Sequence, residues 1–234
     1  MIPIRDDNPT RRFPLVTVAL LLANATTFAY EVTLSDAELL AFIDIWAVTP
    51  ARVVAEPFSP QVLITLVTAM FLHGGWLHLG GNMLYLWIFG NNVEDSLGRP
   101  RFVGFYLATG IIATLAHIAI EGPSEIPLLG ASGAIAGVLA AYLLLFPKAH
   151  VLVLIPVFFI IEVAQIPAAF VIGFWFLIQL VQGIGSISPE AASGGVAWWA
   201  HVGGFATGLV LIIPVWLSNR TRSRRRKPPF TTWK

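Results

Sequence analysis

Residues 57–93 read PFSPQVLITLVTAMFLHGGWLHLGGNMLYLWIFGNNV, without a single Asp, Glu, Lys or Arg. At about 1.5 Å per residue, one helix of this length would far exceed the ~30 Å hydrocarbon layer. Gly74 and Gly75 offer a place to divide it. Ser59-Pro60 reads as the cap and first position of a short apolar helix ending near Leu72, too short to cross. Trp76 then opens a run that is long enough. A short apolar piece, a double glycine and a spanning helix fix the class: this is a chain built for lipid.

The rest of the sequence agrees. Hydrophobic residues make up 56% and charged residues 12%, against about 25% charged in ordinary soluble domains, and the mean hydropathy is +0.77. Charges cut the chain into neutral runs that predict six spans, at about 13–30, 76–93, 102–120, 128–147, 167–182 and 196–217. The expected architecture is an all-α polytopic bundle over 1–218, followed by a basic, disordered cytoplasmic tail over 219–234. The first run competes with a signal peptide, because basic residues precede it and Ala23-Asn24-Ala25 resembles a cleavage site. A retained helix is preferred since the apolar run continues past that site. Ser35-Asp36-Ala37-Glu38 reads as a capping box for a short helix in the loop that follows. Glu162 would be costly at mid-bilayer, so 151–165 is expected at the interface, with the fifth span starting near Pro167.

With both termini cytoplasmic, all Lys and Arg residues except Arg52 fall on the inner side, and the outer loops around 121–125 and 183–195 carry none. A multi-pass protein of a cell membrane, specifically a bacterial inner membrane, is expected. The Arg run near the C-terminus reads as a topology anchor touching anionic lipid. Nucleic-acid binding is disfavoured, for the net charge is only +1 and no groove-reading element accompanies the run. Cysteine is absent, which removes disulfides and thiolate chemistry.

Polar residues inside spans are functional candidates by default. The second, fourth and sixth spans run in the same direction, and their first turns carry His78 and Asn82, Ser132, and His201 respectively. All four then lie within roughly 10 Å of the outer boundary. His78 and Asn82 share a helix face. Gly130, Gly133 and Gly137 flank and follow Ser132, while Gly204 and Gly208 follow His201; such small-residue stripes let helices touch. The chemistry that suits this set is acyl transfer, with Ser132 as nucleophile and His201 as its base. His78, Asn82 and the Ser132 backbone N–H are candidate donors to a tetrahedral oxyanion. With no carboxylate expected at this depth, a dyad is expected rather than a triad.

The chain resembles the rhomboid intramembrane serine proteases. The segments that carry the likeness are His73-Gly74-Gly75-Trp76-Leu77-His78-Leu79-Gly80-Gly81-Asn82-Met83, Gly90 to Glu94 with Gly98-Arg99, Gly130-Ala131-Ser132-Gly133-Ala134, and Ala200-His201-Val202-Gly203-Gly204 with Gly208. The resemblance implies Ser132 as nucleophile, His201 as general base and His78 with Asn82 at the oxyanion site. It also implies a six-helix core with a water-filled cavity, no cofactor, and substrates that are themselves transmembrane proteins. Two departures stand out. Some members carry adjacent Trp-Arg in the first outer loop, whereas Trp46 and Arg52 are separated here. Some place an aromatic four residues after the serine, where this chain has Ala136.

The competing readings are weaker. His73, His78 and His201 could converge on a metal, but His-Glu-x-x-His is missing, so no metal is expected. An α/β-hydrolase elbow fails because Ala134 stands at its second glycine. The non-enzyme alternative is a catalytically silent relative that binds client membrane helices. His117, His150 and Glu162 are assigned to structure or interface.

Overall fold

A computed structural model describes residues 1–157, 159–186 and 196–225. Helix α1 (Leu15–Glu31) is followed by a lateral loop holding α2 (Asp36–Trp46) and α3 (Pro50–Ala55). Ser35 and Glu38 form the full capping box at the start of α2. Helix α4 (Pro60–Thr68) opens on its proline, although the Ser59 side chain makes no cap, and a 3₁₀ turn carries it to Phe71. After the double glycine the chain turns sharply. Helix α5 (Trp76–Tyr85) continues through a π-helical turn, Leu86–Gly90, into α6 (Asn91–Leu97). The axes on the two sides of the break differ by 83°. The uncharged run is thus a short helix joined through a sharp bend to a longer one.

Helices α7 (Arg99–Glu121), α8 (Ser132–Leu145), α9 (Ala168–Ser186) and α10 (Trp198–Arg225) complete the bundle. Three described helices, within 99–121, 168–186 and 198–219, are long and apolar enough to cross a bilayer, and the bent pair could supply a fourth span. Helices α1 and α8 are apolar but shorter, so the count of six stays a proposal. The helix carrying Ser132 is shorter than the expected 128–147 because Gly130, at φ +121°, cannot continue a helix. Leu128 instead bridges Val48 in the lateral loop. At the other end, α10 runs on to Arg225, so the expected disorder from 219 is corrected for its first turns; residues 226–234 lie outside those described. Most of the expected outer loop 183–195 also lies outside them.

Helix α8 is the axle. Residues Gly133 to Tyr142 are all buried, as suits a helix apolar all round. Its neighbours α7 and α10 come in at backbone distance. A side chain at Gly204 or Gly208 would collide with the carbonyl oxygen of Gly133 or Gly137, respectively, and one at Gly133 would press on Ala113 at 2.8 Å. Small residues on both helices are what permit this approach.

A three-stranded sheet, β1 (Ile2–Asp6), β2 (His150–Val157) and β3 (Ile160–Pro167), is foreign to the all-α expectation. All pairs are antiparallel, with β2 central. The stretch is rich in β-branched residues, and Val151 and Val153 alternate inward, fully buried. Pro156 falls beyond the part of β2 that β1 covers. Glu162 is exposed on β3 ahead of α9. The sheet, the segment leading into α1 and helix α6 share one end of the bundle, since Arg11 N–H reaches Asp95 at 3.1 Å and Asp7 N–H the His150 carbonyl at 2.9 Å.

Candidate active site

Ser132 is the first residue of α8, where backbone N–H groups lack intrahelical partners and favour negative charge. His201 stands in the first turn of α10 and is buried. The glycine contacts between these helices bring the two side chains together, with Ser132 Oγ 2.7 Å from His201 Nε2. The imidazole is held on three other sides. Its Nδ1 lies 2.7 Å from Gln179 Oε1 on α9. The Trp175 ring lies at 5.8 Å and the Trp198 ring stands edge-on at 6.1 Å. With Ala136 in place of an aromatic four residues after the serine, these two tryptophans and the glutamine confine the ring instead.

His78 and Asn82 occupy one face of α5 and border Gly130, two residues before the serine. A Cβ on Gly130 would lie 2.7 Å from His78 Nε2 and 3.7 Å from Asn82 Nδ2. His78 Nδ1 accepts a long hydrogen bond, 3.4 Å, from the Gly74 N–H. The Asn82 amide lies 3.0 Å from His73 Nε2. His73 in turn donates its backbone N–H to Glu31 Oε2 at 3.3 Å, and its ring meets that of His78 edge-on at 5.0 Å. Behind the two candidate donors, then, stands a polar chain from α1 through the double-glycine break to α5.

Two of these residues correct the reading of the sequence. Glu31 closes α1 and is buried, 3% exposed, so a carboxylate does lie near this level. It is most simply taken as the first residue of a loop when the chain is divided at its charges. Gln179 gives no signal in the sequence beyond being an amide in an apolar helix. His117, by contrast, lies on α7 with Nε2 3.5 Å from Glu121, and His150 pairs with Asp7 at 3.4 Å in the sheet. Among the described residues no group of three or more His, Asp or Glu could hold a metal ion.

Chemically, a hydroxyl against an imidazole, beside a helix N-terminus and polar side chains, can attack a carbonyl and hold the resulting negative charge. Comparison with known proteins points the same way. A profile of the Rhomboid domain matches residues 60–218. Rhomboid protein 1, mitochondrial, of Saccharomyces cerevisiae is 33% identical over 160 residues, 63% of this chain and 40% of that protein. Presenilin-associated rhomboid-like protein A, mitochondrial, of Danio rerio is 36% identical over 110 residues, covering 44% and 28% of the two chains. Rhomboid protease GluP of Bacillus subtilis is 45% identical over 78 residues, covering 33% and 15%. The chain therefore spans less than half the length of each of these relatives.

Proposed function

This chain belongs to the rhomboid family, and on that premise we propose that it is an intramembrane serine endopeptidase that cleaves transmembrane segments of other membrane proteins. Ser132 is the nucleophile. His201 takes its proton as general base and returns it to the leaving amine as general acid. The carbonyl carbon gains the serine oxygen, the tetrahedral oxyanion is held by His78, Asn82 and the Ser132 N–H, and water then releases the acyl fragment by the reverse sequence. Each donor contributes roughly 3 kcal/mol in a dry site. The observation that carries this reading is the 2.7 Å contact between Ser132 Oγ and His201 Nε2. It also favours an active enzyme over a silent relative that only binds client helices.

Substrate segments should be rich in small residues and easily unwound, because a helix hides its peptide bonds in its own hydrogen bonds. Both termini lie on the cytoplasmic side, or its equivalent, and the lipid itself is the second partner. The compartment is less specific than the sequence alone suggests. The yeast and zebrafish relatives are mitochondrial by name, which does not fit a bacterial inner membrane, and a membrane location is the common ground.

The test is labelling of the detergent-solubilised protein by a fluorophosphonate or isocoumarin probe, alongside cleavage of a single-span test substrate. Ser132→Ala should abolish both with the fold intact, His201→Ala should also stop turnover, and Asn82→Ala should slow it roughly 100-fold, the loss of one oxyanion donor. Cleavage that persists in Ser132→Ala would overturn the mechanism.

A further inference from the structure

We infer that Gln179 is a positioning residue for the His201 imidazole, fixing through its side-chain carbonyl which ring nitrogen carries the proton. The inference rests on the proposed protease reading and adds a member from a third helix. A polar amide inside an apolar helix is costly unless bonded, and the cheapest solution is to bond its own backbone. Asn24 shows that solution, donating to the Leu20 carbonyl at 2.7 Å with its side-chain oxygen unpartnered. Gln179 uses its nitrogen in the same way, donating to the Trp175 carbonyl at 3.2 Å. Its oxygen, however, is aimed out of its helix at His201 Nδ1, 2.7 Å away.

The orientation of the amide follows from its two contacts. A backbone carbonyl can only accept, so the atom facing Trp175 is the NH₂ group, and the atom facing the imidazole is the acceptor oxygen. An acceptor at Nδ1 requires that Nδ1 carry a hydrogen. In the neutral ring this leaves the lone pair on Nε2, the nitrogen 2.7 Å from the Ser132 hydroxyl. The amide therefore selects the tautomer that can receive the serine proton. A carboxylate in the same place would also hold the imidazolium by charge; the amide orients the ring without a full negative charge in the bilayer. Because Gln179 sits on α9 while the other two members sit on α8 and α10, correct placement of α9 becomes a condition for a competent base.

Two variants of the full-length protein in detergent test this, Gln179→Met, which keeps the bulk and removes the acceptor, and Gln179→Glu, which keeps the shape and offers a carboxylate. The readouts are kcat and KM on a single-span substrate, the pH–rate profile, and the nitrogen resonances of His201 in protein labelled at its five histidines, assigned with His201→Asn. Gln179→Met should lower kcat about tenfold, the rate equivalent of one orienting hydrogen bond, with KM little changed. In it the His201 ring should leave the pure Nδ1–H form. Gln179→Glu should retain turnover and move the acid limb of the profile to higher pH. The titratable groups nearest His201 on other helices, His78 and His117, are the same in both variants. A folded Gln179→Met with wild-type kcat and an unchanged His201 tautomer overturns the inference. If that variant does not fold, an unmoved profile in Gln179→Glu does so. Ser132→Ala run in parallel separates the two levels: its inactivity beside a normal Gln179→Met removes the positioning role alone, whereas its activity removes the protease reading.

Discussion

At the scale of single residues, Gly130 is the most constrained position in the site. Its φ of +121° lies where side chains are strained, and the space where a Cβ would stand is occupied by the His78 ring. Gly130→Ala should cost about 1–3 kcal/mol for the backbone conformation alone, and it should displace His78. The expected outcome is a lower melting temperature in detergent together with a fall in cleavage rate; unchanged values of both would show that the loop can relax freely. The contact between Ser132 and His201 is foreshadowed in the sequence, since both open helices of like direction and each is followed by small residues. Gln179 is not foreshadowed. Periodicity says which face a residue occupies but not that an amide on one helix will reach a ring on another. Glu31 is misjudged for a related reason: a charge is the natural mark of a span's end, and nothing local tells that it turns inward to the His73 backbone.

Among the elements, α1 shows how a helix without a cap of its own is completed by another. Pro14 at its start makes no side-chain cap, so the first N–H groups need outside acceptors. Glu94 on α6 supplies them, accepting from Val16 N–H at 3.0 Å and from both the N–H and hydroxyl of Thr17 at 2.8 Å. This carboxylate is 3% exposed, and Arg99 stands 4.0 Å off. Glu94→Gln keeps the shape but exchanges one acceptor for a donor facing other donors. It should destabilise the protein by about 1–3 kcal/mol, seen as an earlier thermal transition; a neutral result would mean that water can cap α1 as well. Among the three long helices, α9 is the least enclosed. Phe170, Phe174, Leu177, Val181 and Ile184 all face outward from it. Of these three helices, the one that carries Gln179 thus leaves most of its apolar surface uncovered.

Over the whole molecule, the sheet ties together parts that the sequence keeps far apart. Strand β1 at the N-terminus pairs with the hairpin between α8 and α9, and Tyr142 on α8 donates its hydroxyl to Asp6 at 2.6 Å. Burial pushes the Asp6 carboxyl above its usual 3.8, with the Tyr142 hydrogen bond opposing part of that rise. A carboxyl with a raised value binds its proton more tightly folded than unfolded, so stability falls as pH rises from about that usual value through the raised one. Asp6→Asn keeps an acceptor for Tyr142 and has no charge to bury; its stability should lack this slope, as measured by melting between acid and neutral pH. Parallel slopes in both proteins would mean another group is responsible. Spans are legible in the sequence because lipid demands unbroken apolar runs with internal hydrogen bonding. The sheet is not, because its pairing joins residues 2–6 to 151–154 and depends on a fold already in place.

The brevity of α8 has a consequence for the products. Its 14 residues extend roughly 21 Å, about 9 Å less than the hydrocarbon is thick. Under the proposed activity, and with the far end of α8 level with the inner boundary of the hydrocarbon, a nucleophile at the head of so short a helix would part its target unequally. About six residues of the target's membrane segment would stay with the outward piece, too few to anchor it. The other piece would keep most of the greasy stretch and remain behind as a stub.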